Sequence, residues 1–346
     1  MLRVLLSSSW NVRCGIAVFT KRLRDGLRDA GHESTVVNIT ALEEDFVSFA
    51  TEYKPDILHI EYEPSMLQEE LLAFKLGKVR KLTGAKTVVT LHYATQEMMQ
   101  RLESVVDKFI VHRHYWLNKK DDYKHTTFIP MPCPVMGETP APVMLRVQFG
   151  IPVDKTVLTT FGFLAKWKQT DTAIESLCKH IQERKENVFL QVLTSSHFWS
   201  TYDSEVMLNH IKESLKKHNI PGFVTSEFLR DSEIVQRFVL SDLGFLYAPI
   251  HTAGNSAAGL EFLAGCLPVV VTQSDHFATL DDSTCVRTPF SPDEFAKNVL
   301  DISKDTGRIR TMREACTRMY QERNFSTFVA AHNTLYSYLK EGATCV

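Results

Sequence analysis

The sequence lacks the cysteine pattern of a disulfide framework or a zinc site. Its seven cysteines are an odd number scattered over 346 residues, and no two of them form a C-x-x-C pair. Disulfide-rich and zinc-binding chains place their cysteines at close, paired spacings. We therefore expect free thiols in a reducing compartment, which favours a cytoplasmic protein.

Long hydrophobic runs, basic charge and a dinucleotide fingerprint are also missing. The opening run RVLLSSS is too short for a signal-peptide core, and no apolar run reaches the length of a membrane span. The formal net charge is -2, so no overall positive field attracts nucleic acid. No G-x-G-x-x-G follows the first strand. We expect no integral membrane segment and no dinucleotide cofactor.

What the chain does contain is the alternation of buried strands and amphipathic helices that is typical of α/β proteins. With 44% hydrophobic and 23% charged residues it can bury a large core, and its length favours two domains. Short apolar runs predict strands of a parallel sheet. They lie at 4–6, 35–39, 57–60, 86–91, 109–111 and 127–129, and again at 156–161, 188–193, 223–225, 243–247 and 269–271.

A cluster of prolines separates the two halves. Six prolines fall between residues 130 and 152, where the hydrophobic periodicity is weak. The predicted organisation is a Rossmann-like domain at 1–136, a linker at 137–154, and a second Rossmann-like domain at 155–324. A C-terminal helix at 325–346 is expected to pack back on the first domain.

The most informative stretch of the second half is 249–273. Small and apolar residues over 257–264 predict a short helix, which Asn255 or Ser256 caps and Gly265 ends in a left-handed conformation. The free N–H groups at the start of this helix suit an anion, and Glu261 lies one turn further on, where it could bind ribose hydroxyls. From the pattern alone, an ordinary helix with one exposed glutamate is the favoured alternative.

In the first half, polar residues follow several predicted strands. Ligands of open α/β sheets bind beyond the carboxyl ends of the strands. This places Arg13 to Gly15, Glu61 to Glu63 and His92 at one edge of the sheet. Glu61 and Glu63 could bind an acceptor or a metal, although a solvated edge is the favoured interpretation. His92 could equally be a hydrogen-bonded histidine of the strand end.

Six stretches in register together resemble landmarks of the retaining GT-B nucleotide-sugar glycosyltransferases of family four. They are RCGIAVFT at 13–20, PDILHIEYEP at 55–64, VTLH at 89–92, TFGFL at 160–164 followed by Lys168, SDLG at 241–244 and EFLAGCLPVV at 261–270. The resemblance covers nearly the whole chain. It implies an α/β GT-B fold, in which two Rossmann-like domains face each other across a cleft, the first for the acceptor and the second for the donor.

The resemblance also implies an activity: transfer of a hexosyl or pentosyl group from a UDP- or GDP-sugar to an acceptor hydroxyl, with retention and without a metal. The implied catalytic residues are His92 and Lys168, the latter as a point charge on the donor diphosphate. The implied donor-binding residues are Gly15, Phe163, Lys168, Asn255, Ser256, Ala257, Ala258 and Glu261. The implied acceptor or sugar contacts are Arg13, Glu61, Glu63 and His251.

The sequence departs from the family pattern at three positions. Ala253 stands where the family has a glutamate eight residues before Glu261, Phe163 where arginine is common, and Gln169 where glycine follows the lysine. The adjacent acids at 121–122 and 281–282 lack D-x-D spacing, so we predict no metal. The alternatives are a nucleotide-sugar epimerase on the same fold, or an inactive sugar-nucleotide-binding module. A glycan, a lipid-linked glycan, a small metabolite and a modified nucleic acid all stay open as acceptor.

Overall fold

The computed structural model of the chain describes residues 1–39, 46–113, 125–135, 137–196, 201–252 and 254–342. These residues form two units. Unit 1 comprises the described residues of 1–131, 253–255 and 325–346, and unit 2 those of 132–252 and 256–324. Ala253 and the acidic pair at 121–122 lie outside the described residues.

Each unit contains a six-stranded, wholly parallel sheet. The strands of unit 1 are β1 (Arg3–Ser8), β2 (Glu33–Asn38), β3 (Ile57–Tyr62), β4 (Lys86–Leu91), β5 (Lys108–Val111) and β6 (Thr126–Phe128), in the order β2-β1-β3-β4-β5-β6. Those of unit 2 are β7 (Thr156–Leu164), β8 (Val188–Ser196), β9 (Gly222–Thr225), β10 (Leu243–Leu246), β11 (Val269–Thr272) and β12 (Cys285–Thr288), in the order β12-β11-β10-β7-β8-β9.

Helices accompany both sheets. In unit 1 they are α1 (Gly15–Asp29), α2 (Phe46–Tyr53), α3 (Glu69–Thr83), α4 (Gln96–Leu102) and α12 (Phe325–Glu341). In unit 2 they are α5 (Pro142–Gln148), α6 (Thr170–Arg184), α7 (Thr201–Lys217), α8 (Asp231–Val239), α9 (Ala257–Glu261), α10 (Pro292–Lys304) and α11 (Thr306–Glu322). None of these described helices combines the length and apolarity needed to cross a bilayer.

The central strands form because their apolar runs are buried on both faces. Val4, Leu5 and Leu6 of β1 and the β11 valines are at most 1% exposed, as expected for strands covered by helices on both sides. Connections leave in opposite directions on the two sides of β1 and of β7. The topological switch points therefore lie between β1 and β3 in unit 1 and between β7 and β10 in unit 2, and ligands of such sheets bind at these points.

The last helix belongs to unit 1 through its contact with α1. A Cβ atom added to Gly26 of α1 would lie 2.5 Å from Cγ2 of Val329, so the missing side chain is what lets α1 and α12 approach. His32 and Asn333 are joined by a 2.5 Å hydrogen bond beside this contact. Helix α12 thereby carries polar side chains into the interior of unit 1.

The proline-rich segment predicted as a linker contains a packed helix. Helix α5 lies within 137–154, and its Leu145 is fully buried. Arg146 donates to the Asp242 carboxylate at 2.7 Å, and the same carboxylate accepts from the backbone of Val157 at 2.7 Å. The SDLG stretch is thus structural: it joins α5, β7 and β10. The helix is seven residues long, too short for a hydrophobic periodicity to predict it.

The prediction that Gly265 ends its helix in a left-handed conformation is wrong. The residue with positive φ is Cys266, at 48°, and Gly265 lies in the 3₁₀ turn Phe262–Gly265 that follows α9. Gly265 is required for another reason: a Cβ atom there would lie 2.4 Å from Cβ of Phe238. The helices α2, α4 and α7 and the strand β12 were not predicted.

Candidate functional site

A pocket of unit 2 lies at the switch point between β7 and β10. Its walls are the carboxyl ends of these strands, the 3₁₀ turn Lys166–Lys168, the start of α9 and a turn after β11. The lining residues are Thr160, Phe161, Gly162, Phe163, Lys168, Thr170, Thr194, Leu246, Tyr247, Ala248, Ser256, Ala258, His276 and Phe277. Of the residues proposed from the sequence, Phe163, Lys168, Ser256 and Ala258 therefore meet here.

Gly162 brings β7 close to α9. Its φ of +120° lies in a region that side chains disfavour, and a Cβ atom there would be 3.3 Å from Cβ of Ala258. Strand β7 runs on to Leu164, three residues beyond its predicted end, so Gly162 and Phe163 belong to the strand and not to a loop. The glycine therefore allows a strand end and a helix start to share one small space.

Ser256 caps α9 and leaves donors exposed to the pocket. Its Oγ accepts from the N–H of Gly259 at 3.2 Å, and its own N–H donates to the carbonyl of His276 at 2.9 Å. Within the described part of the chain, the N–H groups of Ala257 and Ala258 have no acceptor. The sequence predicted this arrangement, with either Asn255 or Ser256 as the cap.

Lys168 supplies the positive charge of the pocket. Its Nζ donates to the carbonyl of Phe163 at 3.2 Å and lies 5.3 Å from the centre of the Trp167 ring. No described residue forms an ion pair with it. Removal from water lowers the pKa of its ammonium to about 8. A cation without a carboxylate partner, beside unpaired N–H groups, is suited to an anion.

Aromatic rings flank the charge. Phe163 stacks on Phe228 with centroids 6.1 Å apart and an interplanar angle of 27°. On the other side, the Trp167 ring meets the edge of His276 at 5.2 Å. Flat apolar surfaces beside a cation and N–H donors fit a ligand that carries rings as well as negative charge.

Four of the residues proposed as ligand contacts in the second half of the chain are absent from the lining of this pocket, and one of them is Ala257, the first residue of α9. Glu261 is at the last position of α9, one turn beyond Ala258. Asn255 belongs to unit 1, where its Oδ1 accepts from Nε of Arg113 at 2.5 Å. His251 is exposed and lies 3.2 Å from the carboxylate of Asp275.

In unit 1, polar side chains gather inside the protein at the ends of β3 and β4. Glu61 and His92 are 0% and 9% exposed, and Oε2 of Glu61 lies 2.9 Å from Nε2 of His92. The expectation that Glu61 lies at a solvated edge is wrong. Strand β3 extends through Tyr62, and alternation along the strand puts Glu61 on the same face as His59, which contacts His332 and Tyr336 of α12.

Glu61 and His92 are part of a larger buried cluster. Nδ1 of His59 pairs with the Tyr336 hydroxyl, and Nε2 of His59 lies 2.7 Å from Oγ1 of Thr90. The His59 ring stacks on that of His332 at 5.6 Å. His112 directly follows β5, and its Nδ1 donates to the Ile129 carbonyl at 2.8 Å.

Burial keeps this cluster neutral. It raises the pKa of Glu61 well above its ordinary value and lowers that of His92 to about 4. The pKa values of His112 and His332 both fall to about 3 for the same reason. Among the described residues, no group of three or more His, Cys, Asp or Glu side chains is arranged to hold a metal ion. The cluster is therefore a hydrogen-bonded network of neutral groups.

The other residues proposed for unit 1 lie at its surface. Arg13 and Gly15 are exposed at the start of α1, and a Cβ atom on Gly15 would meet nothing within 4 Å. Glu63 is partly buried and accepts from the backbone N–H of Ser65 at 3.1 Å. None of the three is in the buried cluster: His92 directly follows β4, whereas Gly15 begins α1 after the loop that follows β1.

Several pocket and cluster residues were missed by sequence reasoning. They are Thr160, Thr194, His276 and Phe277 in unit 2, and His59, Thr90, His332 and Tyr336 in unit 1. Thr90 and Thr194 could have been predicted, because they are polar residues near the carboxyl ends of buried strands, where ligands bind. The α12 residues offered none, because histidine and tyrosine at helical spacing are also typical of an ordinary core.

The sequence matches no protein-family model and no curated protein. The fold, in contrast, is similar along the whole chain to solved structures. A glycosyltransferase from Rickettsia africae has a TM-score of 0.76 at 13% identity, covering 99% of this chain and 100% of its own. Sucrose-phosphate synthase from Thermosynechococcus elongatus has a TM-score of 0.74 at 13% identity, with 99% and 100% coverage.

A third similar structure contains a ligand. HepE from Anabaena, solved in complex with UDP-glucose, has a TM-score of 0.71 at 14% identity, covering 97% of this chain and 100% of its own. At such identities the likeness concerns the fold. It confirms the predicted fold class, α/β with the two Rossmann-like domains of GT-B glycosyltransferases.

Proposed function

We propose that the protein is a glycosyltransferase that moves a sugar from a nucleoside diphosphate sugar to an acceptor hydroxyl. The observation that carries this proposal is the pocket of unit 2, where the ammonium of Lys168, which forms no ion pair within the described residues, and the start of α9 line one space. An ammonium and helix N–H groups at a switch point suit a diphosphate. HepE, which has a similar fold, was solved with UDP-glucose, and we propose a UDP-sugar as the donor.

In the proposed reaction the bond between the anomeric carbon and the diphosphate oxygen breaks, and the acceptor oxygen forms the new bond to that carbon. The acceptor hydroxyl gives its proton to the departing diphosphate. Lys168 and the N–H groups of Ala257 and Ala258 stabilise the charge that develops on this leaving group. We propose a metal-independent transfer, because these groups supply the positive charge, and retention by attack on the same face.

We assign the donor to unit 2 and the acceptor to unit 1. In this assignment His92 contacts the transferred sugar, because it directly follows β4 at the edge where ligands of parallel sheets bind. Glu261 remains the proposed ribose ligand, one turn along α9 from the phosphate-binding N–H groups. A cytoplasmic location stays a prediction from the free thiols.

The experiment is a donor panel assayed with and without an acceptor extract. The purified protein is incubated with UDP- and GDP-sugars, and free nucleoside diphosphate, isomerised donor and bound donor are measured. Release of nucleoside diphosphate that depends on acceptor supports the transferase. Isomerisation without release would instead indicate an epimerase, and donor binding with neither would indicate a binding module.

Two matched variants connect the activity to the pocket. Lys168→Ala removes the proposed diphosphate contact, and we expect turnover to fall ~100-fold to 1000-fold, the usual cost of losing one preorganised donor. Lys166→Ala removes an exposed lysine from the same 3₁₀ turn, and we expect turnover to change less than about twofold. Equal activity in the wild type and Lys168→Ala would contradict the proposal.

A further inference from the structure

The contact between Glu61 and His92 determines which ring nitrogen of His92 carries a proton. Nε2 of His92 is the nitrogen in contact, 2.9 Å from Oε2 of Glu61. The other nitrogen, Nδ1, has no hydrogen-bond partner among the described residues. It is also not one of the fully buried polar atoms that lack a partner. Nδ1 is therefore the atom through which His92 meets a ligand, and its protonation decides whether it donates or accepts.

Glu61 lies in surroundings that disfavour a carboxylate. The side chain is 0% exposed, and its only ion-pair contacts within the described residues are with His59 and His92. No lysine or arginine of that part of the chain approaches it. An isolated buried carboxylate is costly, so such a group takes up a proton instead.

His59 does not supply the missing positive charge. Its Nε2 is 3.4 Å from Oε1 of Glu61, but the same nitrogen lies closer to Oγ1 of Thr90, at 2.7 Å, and its Nδ1 is occupied by the Tyr336 hydroxyl. Burial lowers the pKa of His59 well below its ordinary value. The Thr90 hydroxyl also contacts the Glu61 carboxyl group, but it is joined to Nε2 of His59. With His59 neutral, the best-placed acceptor for the proton of Glu61 is Nε2 of His92, at 2.9 Å.

We propose that Glu61 is a positioning residue: as a carboxylic acid it donates to Nε2 of His92 and holds His92 in the Nδ1–H tautomer. His92 then presents a neutral N–H donor to its ligand. In the transfer reaction, and resting on the proposed function, this N–H binds a sugar hydroxyl and takes no proton from it. An ionised Glu61 would have the opposite effect, because it would accept from Nε2–H and leave Nδ1 as a base.

The tautomer can be measured without substrate. The full-length protein is labelled with ¹⁵N in its histidines, and long-range proton–nitrogen spectra at neutral pH assign the protonated nitrogen of each ring. A His92→Gln variant identifies the His92 signals. We expect a protonated Nδ1 and an unprotonated, hydrogen-bonded Nε2. A protonated Nε2, with or without a protonated Nδ1, would overturn the proposal.

Two substitutions at Glu61 separate positioning from packing. In Glu61→Gln the amide N–H can replace the carboxyl proton, so we expect the Nδ1–H tautomer to persist and kcat to stay within about threefold. In Glu61→Leu the donor is lost, and we expect the tautomer signal to change and kcat to fall ~10-fold to 100-fold, the usual cost of losing such an orienting partner.

The pattern across the variants decides the outcome. If Glu61→Gln loses as much activity as Glu61→Leu, or shifts the proton to Nε2, the carboxylic acid is not the donor and the inference fails. Thermal unfolding of each variant shows whether the fold is kept, and the spectra are compared only for folded protein. Because the spectra need no donor sugar, an Nδ1–H signal without any transfer would overturn the proposed function alone.

Discussion

At the end of β7, unit 2 leaves a cation without a carboxylate partner and backbone N–H groups without acceptors among the described residues, whereas at the ends of β3 and β4 unit 1 pairs several of its polar side chains with one another. Lys168 forms no ion pair within the described residues, but Glu61 is in contact with His92. Both arrangements lie at the carboxyl ends of parallel strands. The carboxyl ends of parallel strands can therefore hold either groups that bind a charged ligand or groups that orient one side chain.

The difference follows from burial and from what covers each site. In unit 2, Gly162 and the short helix α9 create space, so the polar groups remain open to a ligand. In unit 1, α12 carries His332 and Tyr336 over the sheet, so the polar groups are buried and several of them hydrogen-bond to one another. The charge of Lys168 in unit 2 lowers the stability of the fold but can bind an anion. The neutral network of unit 1 instead fixes the orientation of its side chains.

The largest expected effect comes from Lys168→Met, which tests whether the unpaired charge is kept for binding. We expect turnover to fall ~100-fold or more, because the leaving diphosphate loses its cation. Stability should rise, by up to about 3 kcal/mol, because the buried ammonium no longer opposes folding. Turnover assays and urea unfolding measure the two effects, with Lys166→Met as the exposed control.

Loss of activity together with loss of stability in Lys168→Met would contradict this account. It would mean that the lysine supports the fold of the 3₁₀ turn, and the contrast between the two units would then disappear.

A second expected effect is on the pH dependence of donor use. Lys168 is charged below its pKa of about 8, so kcat/KM for the donor should be level below that pH and fall ~10-fold per unit above it. Arginine stays charged over this range, so Lys168→Arg should show no such fall, whatever its absolute rate. Initial rates between pH 6 and 10 measure the profile. A profile with the same alkaline fall in Lys168→Arg would assign the titration to another group.

A smaller effect is expected from Gly162→Ala, which tests whether the close approach of β7 and α9 creates the pocket. The substitution places a side chain at φ +120° and 3.3 Å from Ala258. We expect a loss of ~1–3 kcal/mol in the free energy of unfolding, because this backbone conformation is strained for alanine. Donor affinity should weaken as well.

Gly77→Ala is the matched control for that change. Gly77 lies within α3, where an added Cβ atom meets only Val105 Cγ1 at an ordinary 3.6 Å. Its stability should rise by roughly 0.5–1 kcal/mol, because alanine favours a helix. If urea unfolding shows the same shift for both variants, Gly162 has no special role in the pocket.

Much of the fold could be predicted from the sequence, because buried parallel strands are short, continuous apolar runs. The prediction for β4 coincides with its observed bounds, and most other predicted strands overlap the observed ones. Helix α5 was not predicted, since seven residues beside several prolines give little periodicity. Helix α7 was not predicted either, although its buried residues Met207, Leu208, Ile211 and Leu215 recur at helical spacing.

The candidate sites were predictable to different degrees. The pocket residues Lys168 and Ser256 follow strands or begin a helix, so local pattern could place them. The surroundings of Glu61 could not be placed in this way, because Tyr336, which pairs with the neighbouring His59, is 277 residues from it and reaches it only through the packing of α12. Glu61, which the sequence placed at a solvated edge, is buried by residues that are distant from it in the sequence.

The smallest expected effect is that of Gly15→Ala, which tests whether unit 1 also approaches a ligand through its backbone. Gly15 begins α1, is exposed, and has no atom within 4 Å of an added Cβ. The fold should tolerate alanine, with the urea midpoint unchanged or slightly raised. If a substrate lies against the backbone here, KM should rise a few-fold, roughly the cost of a displaced contact of about 1 kcal/mol. Unchanged steady-state constants would remove Gly15 from the proposed site and leave the polar groups of unit 1 to act through His92.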